Sequence, residues 1–268
     1  MSTVDEVVEA VLASRRYRTV FPPLVRRVAG EQGAVDGQRP AQVALVVKRT
    51  KRALHQIFGA YLPQPTRPDR ILADLRVAES DEQVRAVLER AMHDHASTRE
   101  RLDYLEPFFD ALRQRVGTPR SVLDVACGLN PLAYAWWGLP QGAQVHAWDL
   151  DVAMVELLQG SLPRLGLAPH AKAVDLLAIE HWPSTEVALV LKILPTLEQQ
   201  RPGASEAMLA AIPAPVLVVS FPTRSLGGHA KGMGGTYARQ FEALLGSRGW
   251  TGEVFEVGTE LLYHVVRR

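Results

Sequence analysis

Residues Ser121-Val122-Leu123-Asp124-Val125-Ala126-Cys127-Gly128-Leu129-Asn130-Pro131 set an apolar run, an acid and a small-residue turn with a single glycine in direct succession. That order marks the entry to a βαβ unit, in which a buried parallel strand runs into a turn whose backbone can approach a ligand closely. A second apolar run, Ala143 to Trp148, ends at Asp149, 25 residues after Asp124. A carboxylate at the tip of that strand is placed to accept the hydroxyls of a ribose. A third run ends in Val174-Asp175-Leu176-Leu177, where an acid could accept the amino group of an adenine. Acids at successive strand ends point to a nucleoside bound at the carboxyl edge of a parallel sheet.

The turn itself narrows the choice of nucleoside. A dinucleotide site needs several glycines to seat pyrophosphate against a helix N-terminus. Ala126-Cys127-Gly128-Leu129-Asn130-Pro131 has one glycine and no Lys-Ser/Thr pair, so a pyrophosphate cradle is not expected. Asp124 suits a ligand carrying positive charge. S-adenosylmethionine carries a sulfonium and an α-amino group, and fits better than NAD.

From Ser121 onward, apolar runs alternate with helical stretches, the pattern of a parallel sheet covered on both faces. Strands are expected near 121–125, 144–149, 170–174, 186–192 and 215–220, with a closing pair near 252–257 and 260–267. The fold class is therefore α/β: a Rossmann-like, seven-stranded class I methyltransferase sheet with an N-terminal helical domain. The expected division is residues 1–95 for the helical domain and 96–268 for the donor-binding domain. In the former, Val4, Val7, Val8, Val11 and Leu12 have helical spacing, and Pro22-Pro23 interrupts the chain. A longer helix is expected from about Ala41 to Tyr61, with Val43, Val46, Val47, Leu54 and Phe58 as its buried stripe. Pro63, Pro65 and Pro68 read as a stiff connector, and further helices are expected over 82–93 and 97–115. Ser97 followed by Glu100 has the spacing of a capping box, and Arg99 is unexpected in the first turn of a helix.

Charge adds a second constraint. Between Ala10 and Phe58 the chain has ten Lys/Arg (Arg15, Arg16, Arg18, Arg26, Arg27, Arg39, Lys48, Arg49, Lys51, Arg52) against Glu31 and Asp36, a net +8 in a protein whose overall charge is +1. A patch of that density suits a phosphate-rich partner, because each neutralised phosphate releases counterions. Further basic groups lie downstream. Lys192 ends the fourth expected strand, in a chain with five lysines against 25 arginines. Arg224, His229 and Lys231 sit in a glycine-rich stretch after the fifth and offer phosphate or base contacts. The 47% hydrophobic and 22% charged composition, with no apolar run of membrane-spanning length, suggests a cytoplasmic protein without a membrane partner. A single cysteine, Cys127, excludes an internal disulfide framework. His93 and His95 lack further spaced ligands, so no metal is expected.

Together these segments resemble the aminoglycoside-resistance 16S rRNA (guanine-N7) methyltransferases, which act on guanine 1405 of the decoding site. The resemblance is carried by His95-Ala96-Ser97-Thr98-Arg99-Glu100-Arg101, Ser121 to Leu132, Ala188 to Gln200, Ser220 to Gly228 with Lys231-Gly232-Met233, and the basic Lys48 to Ile57. It runs over nearly the whole chain and is loosest in the first forty residues or so. His229 stands where many members have arginine.

The resemblance implies S-adenosylmethionine as methyl donor and the assembled 30S subunit, around helix 44 of 16S rRNA, as partner. The donor site is expected at His95, Ser97, Arg99, Asp124, Ala126, Gly128, Asn130, Asp149, Leu150, Asp175, Leu176, Leu191 and Gln199, with Arg99 on the methionine carboxylate. RNA contacts are expected from Arg15, Arg18, Lys48, Lys51, Arg52, Lys192, Arg224, His229 and Lys231, in a protein acting as a monomer. No catalytic base is expected, because guanine N7 already carries a lone pair. Two other readings share these features: methylation of another decoding-site base, such as adenine N1, and a ribosome-binding factor without turnover.

Overall fold

The computed structural model describes residues 2–58, 67–223 and 233–267. Helices α1 (Thr3–Leu12), α2 (Pro22–Glu31) and α3 (Pro40–Phe58) come first. Ser2 and Asp5 cap α1 reciprocally, and α2 begins at the Pro22-Pro23 pair because proline suits the first helical positions. Val7, Val11, Leu24, Val25, Val28, Val46 and Leu54 bury their apolar stripes against one another. Val43 and Val47 are half-buried on the same face of α3, and Thr50 is buried there as well.

Next come α4 (Pro68–Val77), α5 (Asp81–Met92), α6 (Ala96–Arg101) and α7 (Leu105–Val116). Pro68 opens a helix rather than extending a connector; Pro63 and Pro65 lie outside the described residues. The helix expected over 97–115 is two, separated by a 3-10 turn at Leu102–Tyr104. Ser97 does not cap: His95 occupies the cap position without a side-chain bond. Glu100 turns instead toward Lys192, 3.2 Å away. Although α4 and α5 fall within the expected helical domain, they share their core with the sheet. Leu75, Leu88 and Met92 pack with Phe108, Val145, Leu157 and Leu189.

The sheet holds β1 (Ser121–Val125), β2 (Gln144–Asp149), β3 (Ala168–Pro169), β4 (Lys172–Ala173), β5 (Val187–Leu191), β6 (Val216–Pro222), β7 (Thr251–Val257) and β8 (Glu260–Val266). Its order is β3-β2-β1-β5-β6-β8-β7, with β4 also on β2. The third expected strand is thus two short pieces. Strands β1 to β6 run parallel where paired, and β8 lies antiparallel to both β6 and β7. Alternate residues face opposite sides, as a pleat requires. Val122, Val145, Leu189 and Val218 meet one helical layer. Leu123, Val125, Val190 and Val219 meet the other, which includes α9 (Leu194–Gln200), α10 (Ala204–Ala211) and α11 (Met233–Arg248). The helix α8 (Val152–Ser161) follows β2.

The α1–α3 unit is stitched to the loop after β2. Phe21 N–H donates to the Leu150 carbonyl at 2.8 Å and Val152 N–H to the Thr19 carbonyl at 2.7 Å. The Thr19 hydroxyl bonds the Asp151 carboxylate at 2.7 Å, and Leu150 packs on the α1–α3 core. No helix among the described residues is long and apolar enough to cross a membrane.

Candidate active site

The strand order reverses between β1 and β5, and a crevice opens there at the carboxyl ends of the strands, where open α/β sheets bind ligands. At the end of β1 the backbone adopts positive φ at Ala126 (51°) and Gly128 (52°), a conformation that costs a side-chain-bearing residue about 1–2 kcal/mol. Two bonds fix this turn: Cys127 N–H donates to the Trp148 carbonyl at 3.0 Å, and Gly128 N–H to Asp149 Oδ2 at 2.8 Å. The Gly128 turn lies flat on the His95 imidazole, and a Cβ there would stand 2.7 Å from His95 Cε1. At the end of β5, Lys192 also takes a positive φ of 59°, and its N–H donates to the Ser220 carbonyl.

The cleft has two connected lobes. His95, Ser97, Arg101, Asp124, Asn130 and Lys192 surround the first, together with Ala126, Asp149, Leu150 and Leu191. Leu24, Leu176, Asp175, Leu197 and Gln200 shape the second. Ile57 of α3 reaches both lobes, so the helical unit forms part of the wall.

Asp124 is 1% exposed. Its Oδ2 accepts from Asn130 Nδ2 at 2.7 Å and from the Tyr134 hydroxyl at 2.8 Å, while the buried Oδ1 has no hydrogen-bond partner among the described residues. A buried acceptor without a donor costs about 1–3 kcal/mol, which a ligand N–H would offset. Burial pushes the Asp124 carboxyl up to about 7, against the hydrogen bonds that favour its charge. Burial likewise raises Asp149 to about 6, with Gly128 and Asp151 N–H groups opposing. Burial, reinforced by Lys192, lowers His95 to about 4 and so keeps the imidazole neutral. Burial also raises the Cys127 thiol, which makes it a packing residue rather than a nucleophile.

Beneath the cleft runs a buried polar network that the sequence did not disclose. Arg101 grips Glu260 with Nε and Nη2, at 2.9 and 2.7 Å to Oε1, and passes Nη1 to Asn130. Ser220 and Tyr104 hydroxyls also bond Glu260, and Lys192 Nζ lies 3.4 Å from it. The visible signal was an acid opening an otherwise apolar strand, Glu260-Leu261-Leu262-Tyr263, together with a second arginine in Arg99-Glu100-Arg101.

Of the expected donor residues, His95, Ser97, Asp124, Ala126, Asn130, Asp149, Leu150 and Leu191 line the first lobe and Asp175 and Leu176 the second; Gly128 lines neither and sits in the turn after β1, against His95. Arg99 and Gln199 do not join them. Both side chains are exposed, and the neighbouring Arg101 and Gln200 face the cleft instead. The helical phase of α6 and α9 decides this, since residues one apart project about 100° and residues two apart about 200° from each other.

Of the expected RNA contacts, Arg15, Arg18, Lys48 and Arg52 are exposed and Lys51 half-buried. Arg26 and Arg27, part of the same charge cluster, are engaged by Asp5 and Asp175. Lys192 is buried between Glu100 and Glu260. Arg224, His229 and Lys231 lie outside the described residues.

Comparison with known proteins identifies the family. Residues 13–265 match the family model "Ribosomal RNA methyltransferase (FmrO)". The chain is 46% identical over 274 residues to the 16S rRNA (guanine(1405)-N(7))-methyltransferase of Frankia casuarinae, with 99% of this chain and 94% of that protein covered. It is 42% identical to the protein of the same name from Micromonospora echinospora, covering 97% and 95%. Among solved structures, the 16S rRNA methyltransferase RmtF in complex with S-adenosyl-L-homocysteine superposes with a TM-score of 0.83 at 35% identity, over 99% of this chain and 98% of that one. The 16S rRNA methylase RmtB gives 0.77 at 29% identity, covering 99% and 98%. The chain belongs to the 16S rRNA (guanine(1405)-N7)-methyltransferase family.

Proposed function

We propose that this protein transfers a methyl group from S-adenosylmethionine to N7 of guanine 1405 in 16S rRNA, and that the modification confers aminoglycoside resistance. Its substrate is the assembled 30S subunit around helix 44, approached in the cytoplasm by a monomer. The observation that carries the reading is the partnerless Asp124 Oδ1, buried at the wall of a cleft that also holds Asp149. An ammonium is the donor such an oxygen suits, and the methionine part of the methyl donor supplies one.

The remaining groups fit the rest of that molecule. Asp149, already oriented by two backbone N–H groups, accepts the ribose hydroxyls. Leu150, Leu176 and Ile193 cover the adenine faces, with Asp175 at its edge. Arg101 retains a free N–H on Nη1 after its bonds to Glu260 and Asn130, and it replaces Arg99 as the carboxylate clamp. Bound there, the donor supplies an electrophilic methyl on sulfur.

The chain contributes alignment and exclusion of water rather than proton transfer. Guanine N7 attacks with its own lone pair, and the neutral His95 has no proton to remove. Extruding the guanine costs a few kcal/mol, which contacts from the basic surface of α3 and the Arg15–Arg18 turn offset. Lys192, held by Glu100 and Glu260, shapes the acceptor side of the cleft; Arg224, His229 and Lys231 are assigned to the target nucleotide and its phosphates.

The deciding experiment is transfer of labelled methyl from S-adenosylmethionine to purified unmethylated 30S subunits, with naked 16S rRNA alongside and the modified base mapped. Label at N7 of guanine 1405 in 30S alone is the expected result. Label at another base, or none despite donor binding, would overturn the assignment.

A further inference from the structure

The adenine end of the cleft is closed by the helical unit. Leu24 and Ile57 line it, and Arg27 of α2 reaches across to the strand-end acid. Arg27 Nε lies 2.5 Å from Asp175 Oδ2 and its Nη2 3.1 Å from Oδ1. Gln200, another lining residue, accepts from Nη2 at 3.4 Å, and Glu31 holds Nη1 at 2.8 Å. The pair is well sheltered, with side-chain exposures of 17% and 6%. Leu177 N–H adds a bond to Oδ1 at 3.1 Å. A carboxylate oxygen offers two lone pairs, so Oδ1 is filled and Oδ2 retains one acceptor position on a residue that lines the cleft.

We infer that Arg27 is a positioning residue for donor recognition: it fixes the Asp175 carboxylate so that its remaining Oδ2 lone pair selects a purine bearing an amino group at position 6. The inference rests on the donor reading given above. A carboxylate gripped by a guanidinium fork accepts and does not donate. It therefore welcomes the exocyclic N–H of adenine and opposes the carbonyl oxygen of hypoxanthine. Without Arg27 the carboxylate is free to rotate, and the selection is lost. The helical unit then contributes to donor choice as well as to docking.

The test compares S-adenosyl-L-homocysteine with its deaminated analogue, S-inosyl-L-homocysteine, by calorimetry on the full-length protein and on Arg27→Gln. Wild type is expected to prefer the adenosyl ligand by roughly tenfold or more, the size of one hydrogen bond to a charged group. In Arg27→Gln that preference should collapse, with the adenosyl ligand weakened and the inosyl ligand little changed. The ratio is taken within one protein, so a lower folded fraction cancels. Glu31→Gln, which removes a partner of Arg27 outside the cleft, should keep the wild-type ratio. Equal weakening of both ligands by Arg27→Gln, or no change in either, would overturn the inference while leaving the donor reading intact. Failure of wild type to bind the adenosyl ligand would sink the donor reading itself.

Discussion

Arg101 and Glu260 lie 159 residues apart in sequence and form a bidentate ion pair in which the side chains are 1% and 0% exposed. The pair ties α6 to the first residue of β8, and Arg101 also stacks on Phe108, its guanidinium carbon 4.2 Å from the ring centre. Burial alone would raise the Glu260 carboxyl, but Arg101 and Lys192 more than offset this and hold it below its ordinary range.

Glu260→Ala leaves Arg101 and Lys192 facing each other without their shared counter-charge. The expected loss is about 3–5 kcal/mol of folding stability, read from the denaturant midpoint. Since the folded-state carboxyl is depressed, its contribution is complete above the unfolded value near 4.5 and is lost on further acidification. Wild type should therefore lose stability on acidification below that value more steeply than Glu260→Ala. A variant within about 1 kcal/mol of wild type would show the network to be dispensable.

The raised Asp124 and Asp149 carboxyls give the opposite sign. Each ionises near 3.8 when unfolded but only near 7 or 6 when folded. Their burial therefore lowers the stability of the ligand-free protein as pH rises from about 4 to about 7. Asp124→Asn should flatten that decline in a series of thermal midpoints. If the donor ammonium pairs with ionised Asp124, as proposed, wild-type affinity should be about tenfold weaker at pH 6 than at pH 8. Affinity that does not change with pH would remove Asp124 as the ammonium partner.

Gly128→Ala tests the close approach of the turn. The added Cβ meets both positive φ and the His95 ring at 2.7 Å, and should cost about 1–2 kcal/mol of stability. Donor affinity should fall at least tenfold, order of magnitude, because the turn and the Asp149 carboxylate it holds must both shift. Calorimetry beside thermal denaturation separates the two effects. Wild-type affinity would show that the ligand does not use the turn.

Much of the site was legible because it is local. A strand, an acid and a glycine turn follow one another within a dozen residues, and parallel-sheet topology then fixes where they point. The missing parts are long-range or depend on phase. Nothing near Arg101 in sequence announces Glu260. Arg99 and Gln199 each sit within two residues of the side chain that enters the cleft, an error no larger than the uncertainty of a helix boundary read from sequence. The Ser97–Glu100 spacing suggested a cap, but Glu100 has a stronger partner in Lys192. The prolines hid α4 because Pro68 starts a helix as readily as it stiffens a connector.

Lys48→Glu and Arg52→Glu address the proposed docking surface. Binding to 30S subunits should weaken, and the slope of log affinity against log salt should fall by roughly 0.7–0.9 for each phosphate that is no longer neutralised. Donor affinity, measured on the same samples, should stay at the wild-type value. An unchanged slope would move the docking surface off α3.

Because the Thr19 hydroxyl is hydrogen-bonded to the Asp151 carboxylate and Leu150 packs on the α1–α3 core, the helical unit and the loop after β2 meet through side chains as well as backbone. A recombinant carrying residues 1–58 from a relative that lacks these side-chain partners would place a mismatched contact two residues from Asp149, the proposed ribose ligand. Its defect would surface as poor donor retention. The sensitive junction is therefore discontinuous, Thr19 to Phe21 with Leu150 to Val152, two short stretches far apart in sequence.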